Sequence, residues 1–417
     1  MKTKSASDAY IDDKGRLILP EEVLRRHGLK PGAKLPISEN GHSILLRRPV
    51  SHFAKVYIEP TNRCNLTCRT CIRNTWDEPL GRMDDTTFER IIDGLRAFAQ
   101  PLTIVFGGFG EPLLHPSIAS MVAEAKGIGS HVELITNGML LSKNLSVQLA
   151  EAGLDVLWVS LDGSTEEGYG GIRPGAVLDE VVSNVMHFRT VSWSSTQRFP
   201  HIGIVFVAMK STIAELPEVM RLGRKLLADR FLITNVLPYT EELCAEMLYN
   251  SVLVNVTNVP SPWLPQLTMS RIDATEITRE PLYRIAREWQ GMHDSKLIAS
   301  NPNNYCPFIE SGATALCWDG SVSPCLPLLH SHTSFLNERR RCSKRYVVGN
   351  INEHTMSELW HRPDYVAFRE RVQSFQFSPC TFCGGCDLSE ANEEDCSGNT
   401  FPTCGGCLWA QGIIQCP

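Results

Sequence analysis

The chain has 417 residues, of which 43% are hydrophobic and 21% charged, with a net charge of −6 and fifteen cysteines. This composition excludes a disordered or fibrous protein and leaves room for two or three domains with a sizeable core. No apolar run reaches the length of a membrane span, and the opening MKTKSASDAYIDDKGR lacks the apolar stretch of a secretory signal, so a cytoplasmic location with no membrane contact is expected.

The first fifty residues carry ten Lys/Arg against six Asp/Glu, a net +4 that leaves −10 for the remainder. Between Tyr10 and Pro49 the pattern predicts a strand ending at Gly15 and a second at Leu17–Leu19. A short helix is opened by Pro20 and closed at His27-Gly28, and strands near Leu35–Ser38 and Ser43–Leu46 flank Glu39-Asn40-Gly41. The stretch KGRLILP, Lys14 to Pro20, resembles the SpoVT-AbrB family. That resemblance implies a swapped-hairpin homodimer that binds DNA through basic residues. A basic module of this size also fits an ordinary solvated surface.

From Lys55 onward, apolar strands alternate with amphipathic helices. Strands are predicted at Lys55–Glu59, Thr103–Phe106, His131–Thr136, Val156–Leu161, Gly203–Ala208 and Phe231–Val236. Helices are predicted at Phe88–Phe98, Ile118–Lys126, Val147–Ala152, Asp179–Phe188 and Leu216–Leu227. The alternation argues for parallel βαβ units, hence an α/β fold with a partial (β/α)6 barrel of the TIM type. Residues 241–304 read as a connecting segment with a helix near Pro281–Gln290, and a Cys-rich domain with a helix over Ser357–Phe375 follows. The expected domains are 1–50, 51–240, 241–304 and 305–417.

The conspicuous residues follow directly after strands, where a barrel gathers its chemistry on one rim. After the first comes Cys64, Cys68 and Cys71, a CxxxCxxC loop. Three thiolates leave one iron of a 4Fe–4S cluster uncapped, whereas electron-transfer clusters are capped by four; half of a zinc site is the alternative. Asn62, Arg63, Asn65 and Thr67 offer polar groups to the sulfurs. After the second strand, Gly107-Gly108-Phe109-Gly110-Glu111-Pro112 suits close backbone approach to a ligand, with Glu111 able to hold an amino group, or serves as a plain strand-to-helix turn. Asn137 follows the third strand, and Ser160 and Asp162 close the fourth, where they suit ribose hydroxyls or turn chemistry equally. Arg173 can pair with a ligand carboxylate or equally form a surface ion pair.

The triplet, the glycine loop and the SLD stretch together resemble the radical S-adenosylmethionine superfamily. The resemblance implies that Cys64, Cys68 and Cys71 hold a 4Fe–4S cluster whose open iron chelates S-adenosylmethionine. One electron then cleaves that molecule to methionine and a 5′-deoxyadenosyl radical. It implies further that Gly108, Gly110 and Glu111 lie in the loop at the methionine amino group, Ser160 and Asp162 in the ribose region, and Arg173 near the carboxylate. Two positions depart from the family pattern: Thr70 stands where an aromatic is usual before the third cysteine, and Phe109 stands in place of a glycine.

Eleven cysteines lie from Cys306 onward. They resemble a SPASM domain, which implies two auxiliary 4Fe–4S clusters; two zinc ribbons are the alternative. One cluster is assigned Cys306, Cys317 and Cys325 with Cys404 or Cys407. The other takes Cys380, Cys383 and Cys416 with Cys386 or Cys396. Cys342 is expected to be a surface thiol and Cys244 a small core residue. Domain order and the closing PTCGGCLWAQGIIQCP are most similar to the tungsten-cofactor oxidoreductase maturases. This implies an anaerobic enzyme acting on an aldehyde:ferredoxin oxidoreductase-type partner or its cofactor, with ferredoxin or flavodoxin as electron donor. A peptide-modifying maturase and a DNA-binding iron–sulfur redox regulator are the alternatives.

Overall fold

The structure is a computed structural model. It describes the chain apart from residues 1–7, 27–28, 30–31, 33–34, 40–43, 99–101, 197–198, 250–255, 258–265, 271, 274, 291–303, 337–338 and 382–385. In the N-terminal segment β1 (Tyr10–Ile11) pairs with β2 (Leu17–Ile18), the helix Glu21–Arg26 follows, and β3 (Ile37–Glu39) pairs antiparallel with β4 (Ile44–Leu46). His27-Gly28 and the Asn40-Gly41 turn lie outside the described residues.

The barrel strands are β5 (Lys55–Ile58), β6 (Thr103–Phe106), β7 (His131–Thr136), β8 (Val156–Ser160), β9 (His201–Ala208) and β10 (Arg230–Asn235). They pair in sequence order and all parallel, each within two residues of its predicted bounds. The barrel stays open between β5 and β10, and later segments extend both edges. Beyond β10 lie β12 (Gln266–Met269) and, antiparallel to it, β11 (Val256–Thr257). Beyond β5 lie β13 (Ala313–Leu316), parallel, then β14 (Ser321–Ser323) and β17 (Gly349–Asn350), both antiparallel. A separate hairpin joins β15 (His332–Leu336) to β16 (Arg339–Ser343).

Alternation along each strand sends residues to two faces. The outer face (Val56, Ile58, Ile104, Phe106, Leu134) packs against helices and forms the main core. Helix Asp85–Arg96 shows why: Phe88, Ile91, Ile92 and Leu95 recur at the spacing of one helical stripe and are buried, each contributing about 1.5–3 kcal/mol. Asp84 caps it, accepting from Thr87 N at 2.6 Å. The inner face (Tyr57, Val105, Ala313, Ala315) is filled by Leu408, Trp409, Ile413 and Ile414 from the last residues of the chain. Asn235 Nδ2 donates to Ile413 O at 2.9 Å and Gln415 N to Thr234 Oγ1 at 2.9 Å.

Several helices differ from expectation: the one expected at Val147–Ala152 spans Lys143–Glu151, and the one expected at Asp179–Phe188 spans Leu178–Thr196. The helix predicted over Ser357–Phe375 is two, Met356–His361 and Pro363–Ser374. Arg362 breaks it with ψ 132°, since the residue before a proline is pushed out of the helical region. Pro281 does not start its helix but lies inside Glu276–Gln290.

Candidate functional site

The cysteine loop is held by its flanks. Thr61 Oγ1 donates to Gly81 O (2.6 Å), and Asn62 exchanges hydrogen bonds with Pro79 O (2.9 Å) and Gly81 N (2.8 Å). On the other side Glu111 N donates to Arg63 O at 2.8 Å. Gly110 is required by this contact: a Cβ there would sit 2.0 Å from Thr61 O and 2.7 Å from Arg63 O, both backbone atoms. Gly108 has φ +123°, and its Cβ would meet Glu59. Both glycines thus let the loop after β6 lie against the loop after β5.

Cys64, Cys68 and Cys71 are half-buried. Burial is the main reason that Cys68 and Cys71 have raised thiol pKa values, and the neighbouring sulfurs of the triplet add to it. Leu66 N (3.5 Å) and Asn137 Nδ2 (3.8 Å) point at Cys64 Sγ, and Arg173 Nη1 (3.8 Å) at Cys68 Sγ. Three thiols with N–H donors directed at sulfur are a donor set that fits a 4Fe–4S cluster. Of the polar loop residues singled out in the sequence, Asn62 is spent on anchoring and Thr67 is exposed, while Asn65 Oδ1 accepts from Asn137 at 2.9 Å.

The rim carboxylates are engaged with the protein. Glu111 accepts from Leu113 N (3.1 Å), Thr136 Oγ1 (2.7 Å) and Asn137 N (2.8 Å), and its burial raises its pKa. It ties the glycine loop to the end of β7. Asp162, fully buried, accepts from Arg173 Nε (2.8 Å) and Nη2 (2.6 Å) and from Val207 N (2.8 Å). Arg173 therefore bridges Asp162 to Cys68. Ser160 ends β8, its carbonyl accepting from Tyr169 OH at 3.3 Å.

Among the late cysteines, Cys306, Cys325, Cys404 and Cys407 line one cavity; burial raises the pKa of all four, and the neighbouring thiols add to it for Cys306, Cys325 and Cys404. Four thiols around one space fit a fully capped cluster. Cys380, Cys386 and Cys396 form a second neighbourhood, with Ser378 Oγ 3.0 Å from Cys396 Sγ. Cys383 lies outside the described residues. Two expected members stand elsewhere. Cys416 accepts from Trp409 Nε1 (3.2 Å) near Lys55, because the chain around it turns into the barrel interior. Cys317 directly follows β13, whose register with β5 (Leu316 opposite Ile58) sets it beside Glu59 instead of beside Cys306. Cys342 is exposed on β16, and Cys244 packs against the inner core.

Sequence reasoning missed the group around Cys317. Glu59 Oε1 lies 2.7 Å from His330 Nε2 and 3.7 Å from Cys317 Sγ, and all three residues are buried. His330 Nδ1 bonds Glu78, and Trp76 and Phe109 make T-shaped contacts with the imidazole. Burial opposes charge on His330, yet Cys317, Glu59 and Glu78 raise it to about 11. Glu59 sat in plain view as the last residue of the first predicted strand, and the observed strand ends one residue before it; His330 carried no local signal.

Residues 58–222 match the model of the radical SAM superfamily, and residues 306–387 match that of the SPASM iron–sulfur cluster-binding domain. A Pyrococcus furiosus protein, named a tungsten-containing aldehyde ferredoxin oxidoreductase cofactor-modifying protein, is 30% identical over 370 residues, which cover 87% of this chain and 96% of that protein. The chain belongs to the radical SAM superfamily. Other relatives include an AdoMet-dependent heme synthase of Methanosarcina barkeri (24% identical, covering 73% of this chain and 81% of its own) and the PqqA peptide cyclase of Gluconobacter oxydans (28%, 43% and 49%). Among solved structures, anSMEcpe with bound AdoMet superposes with a TM-score of 0.55 at 16% identity, covering 87% of this chain and 92% of that one, which supports the fold. Radical SAM and SPASM domains imply 4Fe–4S clusters and S-adenosylmethionine binding. Among the described residues no helix is long and apolar enough to cross a membrane.

Proposed function

We propose that this radical SAM enzyme matures a tungsten-dependent aldehyde:ferredoxin oxidoreductase-type enzyme, acting on its cofactor or its polypeptide. The reading is carried by the similarity to the Pyrococcus furiosus protein along nearly that protein's whole length. Cys64, Cys68 and Cys71 would hold the S-adenosylmethionine cluster, with Gly108, Gly110, Glu111, Asn137, Ser160, Asp162 and Arg173 shaping the rim around it. When bound, that cluster supplies the electron that cleaves S-adenosylmethionine to methionine and a 5′-deoxyadenosyl radical. Arg173 and Asn137 orient the loop by donating to its sulfurs, and Glu111 and Asp162 fix those donors from behind. Cys306, Cys325, Cys404 and Cys407 would hold one auxiliary cluster, and Cys380, Cys383, Cys386 and Cys396 a second. Ferredoxin or flavodoxin would supply electrons.

The test is anaerobic incubation of cluster-reconstituted protein with reductant and S-adenosylmethionine, followed by co-expression with the tungsten enzyme and mass analysis of its cofactor and peptide chain. Formation of 5′-deoxyadenosine with an altered cofactor supports the reading. A modified peptide chain would favour the peptide-modifying alternative, which the partial similarity to a peptide cyclase motivates. Absence of 5′-deoxyadenosine with salt-sensitive DNA binding would favour a regulator. The N-terminal module exposes Tyr10, Ile11, Leu17, Ile37 and Ile44, an apolar surface suited to a second copy of the chain. Ile37→Glu with Ile44→Glu should then lower the mass read by light scattering to that of a monomer; an unchanged mass rejects that dimer.

A further inference from the structure

We propose that Glu59, His330 and Cys317 form a binding site for a single borderline divalent cation of the Zn2+ or Fe2+ kind, separate from the iron–sulfur clusters. The three side chains offer one carboxylate, one imidazole and one thiolate, the ligand types such ions take. Their ligand atoms are 2.7 Å (O to N), 3.7 Å (S to O) and 4.0 Å (S to N) apart. A tetrahedral ion with bonds of about 2.0–2.3 Å sets its ligands about 3.3–3.8 Å apart, so each side chain needs to move by only about half an ångström.

The surroundings are those of a metal ligand set. His330 presents Nε2 to the site while Nδ1 is held by Glu78, and Glu78 is itself fixed by Ser331 N at 3.0 Å. A carboxylate behind a ligating histidine fixes the ring and raises its basicity. Glu59 presents Oε1 while Oε2 accepts from Phe109 N at 2.9 Å. Both side chains are thus oriented by their far atoms with the near atoms turned inward. Ion binding requires Nε2 and the Cys317 thiol to be deprotonated, so it displaces protons from the site. Trp76 and Phe109 pack edge-on against the His330 ring, on the rim that carries the cysteine loop, and a tetrahedral ion held by three protein ligands takes its fourth from a small molecule.

This site does not depend on the substrate proposed above, and its test reads metal instead of turnover. Full-length protein, anaerobically reconstituted with iron and sulfide, is exposed to Zn2+, desalted through a weak chelator and analysed for zinc and iron. One zinc per chain beyond the iron is expected, with zinc-edge absorption showing one sulfur at about 2.3 Å in a nitrogen and oxygen shell. Cys317→Ser, nearly isosteric, and His330→Gln should each lose that zinc with iron unchanged, and Glu78→Gln should weaken its retention about tenfold. Zinc retained by both ligand variants, a sulfur-only shell, zinc lost with the surface variant Cys342→Ser, or Cys317→Ser losing iron would each overturn the proposal. If His330→Gln does not fold, Cys317→Ser alone decides.

Discussion

Replacing Arg173 with methionine should destabilise the rim by several kcal/mol and loosen Cys68. The carboxylate of Asp162 has no exposure to water, and three hydrogen bonds compensate it, two of them from Arg173 at 2.8 and 2.6 Å. Without the guanidinium, a buried charge keeps only Val207 N. Unit charges about 4 Å apart attract by about 4 kcal/mol at an effective dielectric of 20. Breaking one side of a buried pair costs about 3–5 kcal/mol, and we expect that loss for Arg173→Met. Adding Asp162→Asn removes the stranded charge, so the double variant should be clearly more stable than Arg173→Met alone. Arg173→Lys restores charge without the planar fork and should recover only part of the loss. The assay is the urea midpoint across this cycle, followed anaerobically by tryptophan fluorescence, with iron per chain as a second readout. Arg173→Met unfolding within about 1 kcal/mol of wild type would refute the reasoning, since a surface pair behaves that way.

Gly110→Ala should displace the cysteine loop, because its Cβ meets the backbone oxygens of Thr61 and Arg63, and iron content should fall by one cluster. Gly171→Ala, with open space around its Cβ, is the control that keeps its iron. Glu133 is buried, which would raise its pKa, but His131, Lys55 and the Trp158 N–H at 2.7 Å lower it to about 2. A lowered pKa adds stability that is fully present above pH 4.5 and is lost as pH falls through about 2, a contribution of about 3 kcal/mol. Rapid pH-jump unfolding should therefore show Glu133→Gln less stable than wild type at pH 7 and the gap closing toward pH 2; parallel curves would contradict this. Thr355 completes a capping box with Glu358, and Thr355→Ala should lower stability by about 1 kcal/mol in a urea melt.

The barrel strands were legible because parallel strands buried on both faces read as short apolar runs, and β5 to β10 all do. Most of the rim residues were legible for the same reason, since they lie at or just after strand ends; Arg173, which follows the helix Glu166–Ile172, is the exception. Their pairings were not. Asp162 read as a ribose or turn residue and Arg173 as a carboxylate partner or surface ion pair, yet the helix Glu166–Ile172 between them carries the chain back and joins them to each other. Likewise, cysteine spacing is one-dimensional and does not carry the register that sets β13 beside β5. That register separates Cys317 from Cys306 and Cys325 and brings it to Glu59, 258 residues away in sequence.

The strand-end rule that found the triplet applies equally to these two residues. Glu59 is the first residue after β5 and Cys317 the first after β13, neighbouring parallel strands in one sheet. Side chains at matched positions on adjacent parallel strands point to the same face, so a carboxylate and a thiol were bound to meet on the rim once the two strands paired. What composition could not supply was the pairing itself, which comes from the cysteine-rich segment completing the sheet of the barrel. The rim of this enzyme is thus built from both segments. A site that uses Glu59 and Cys317 exists only while β13 remains docked on β5, which ties any chemistry there to the integrity of the joined sheet.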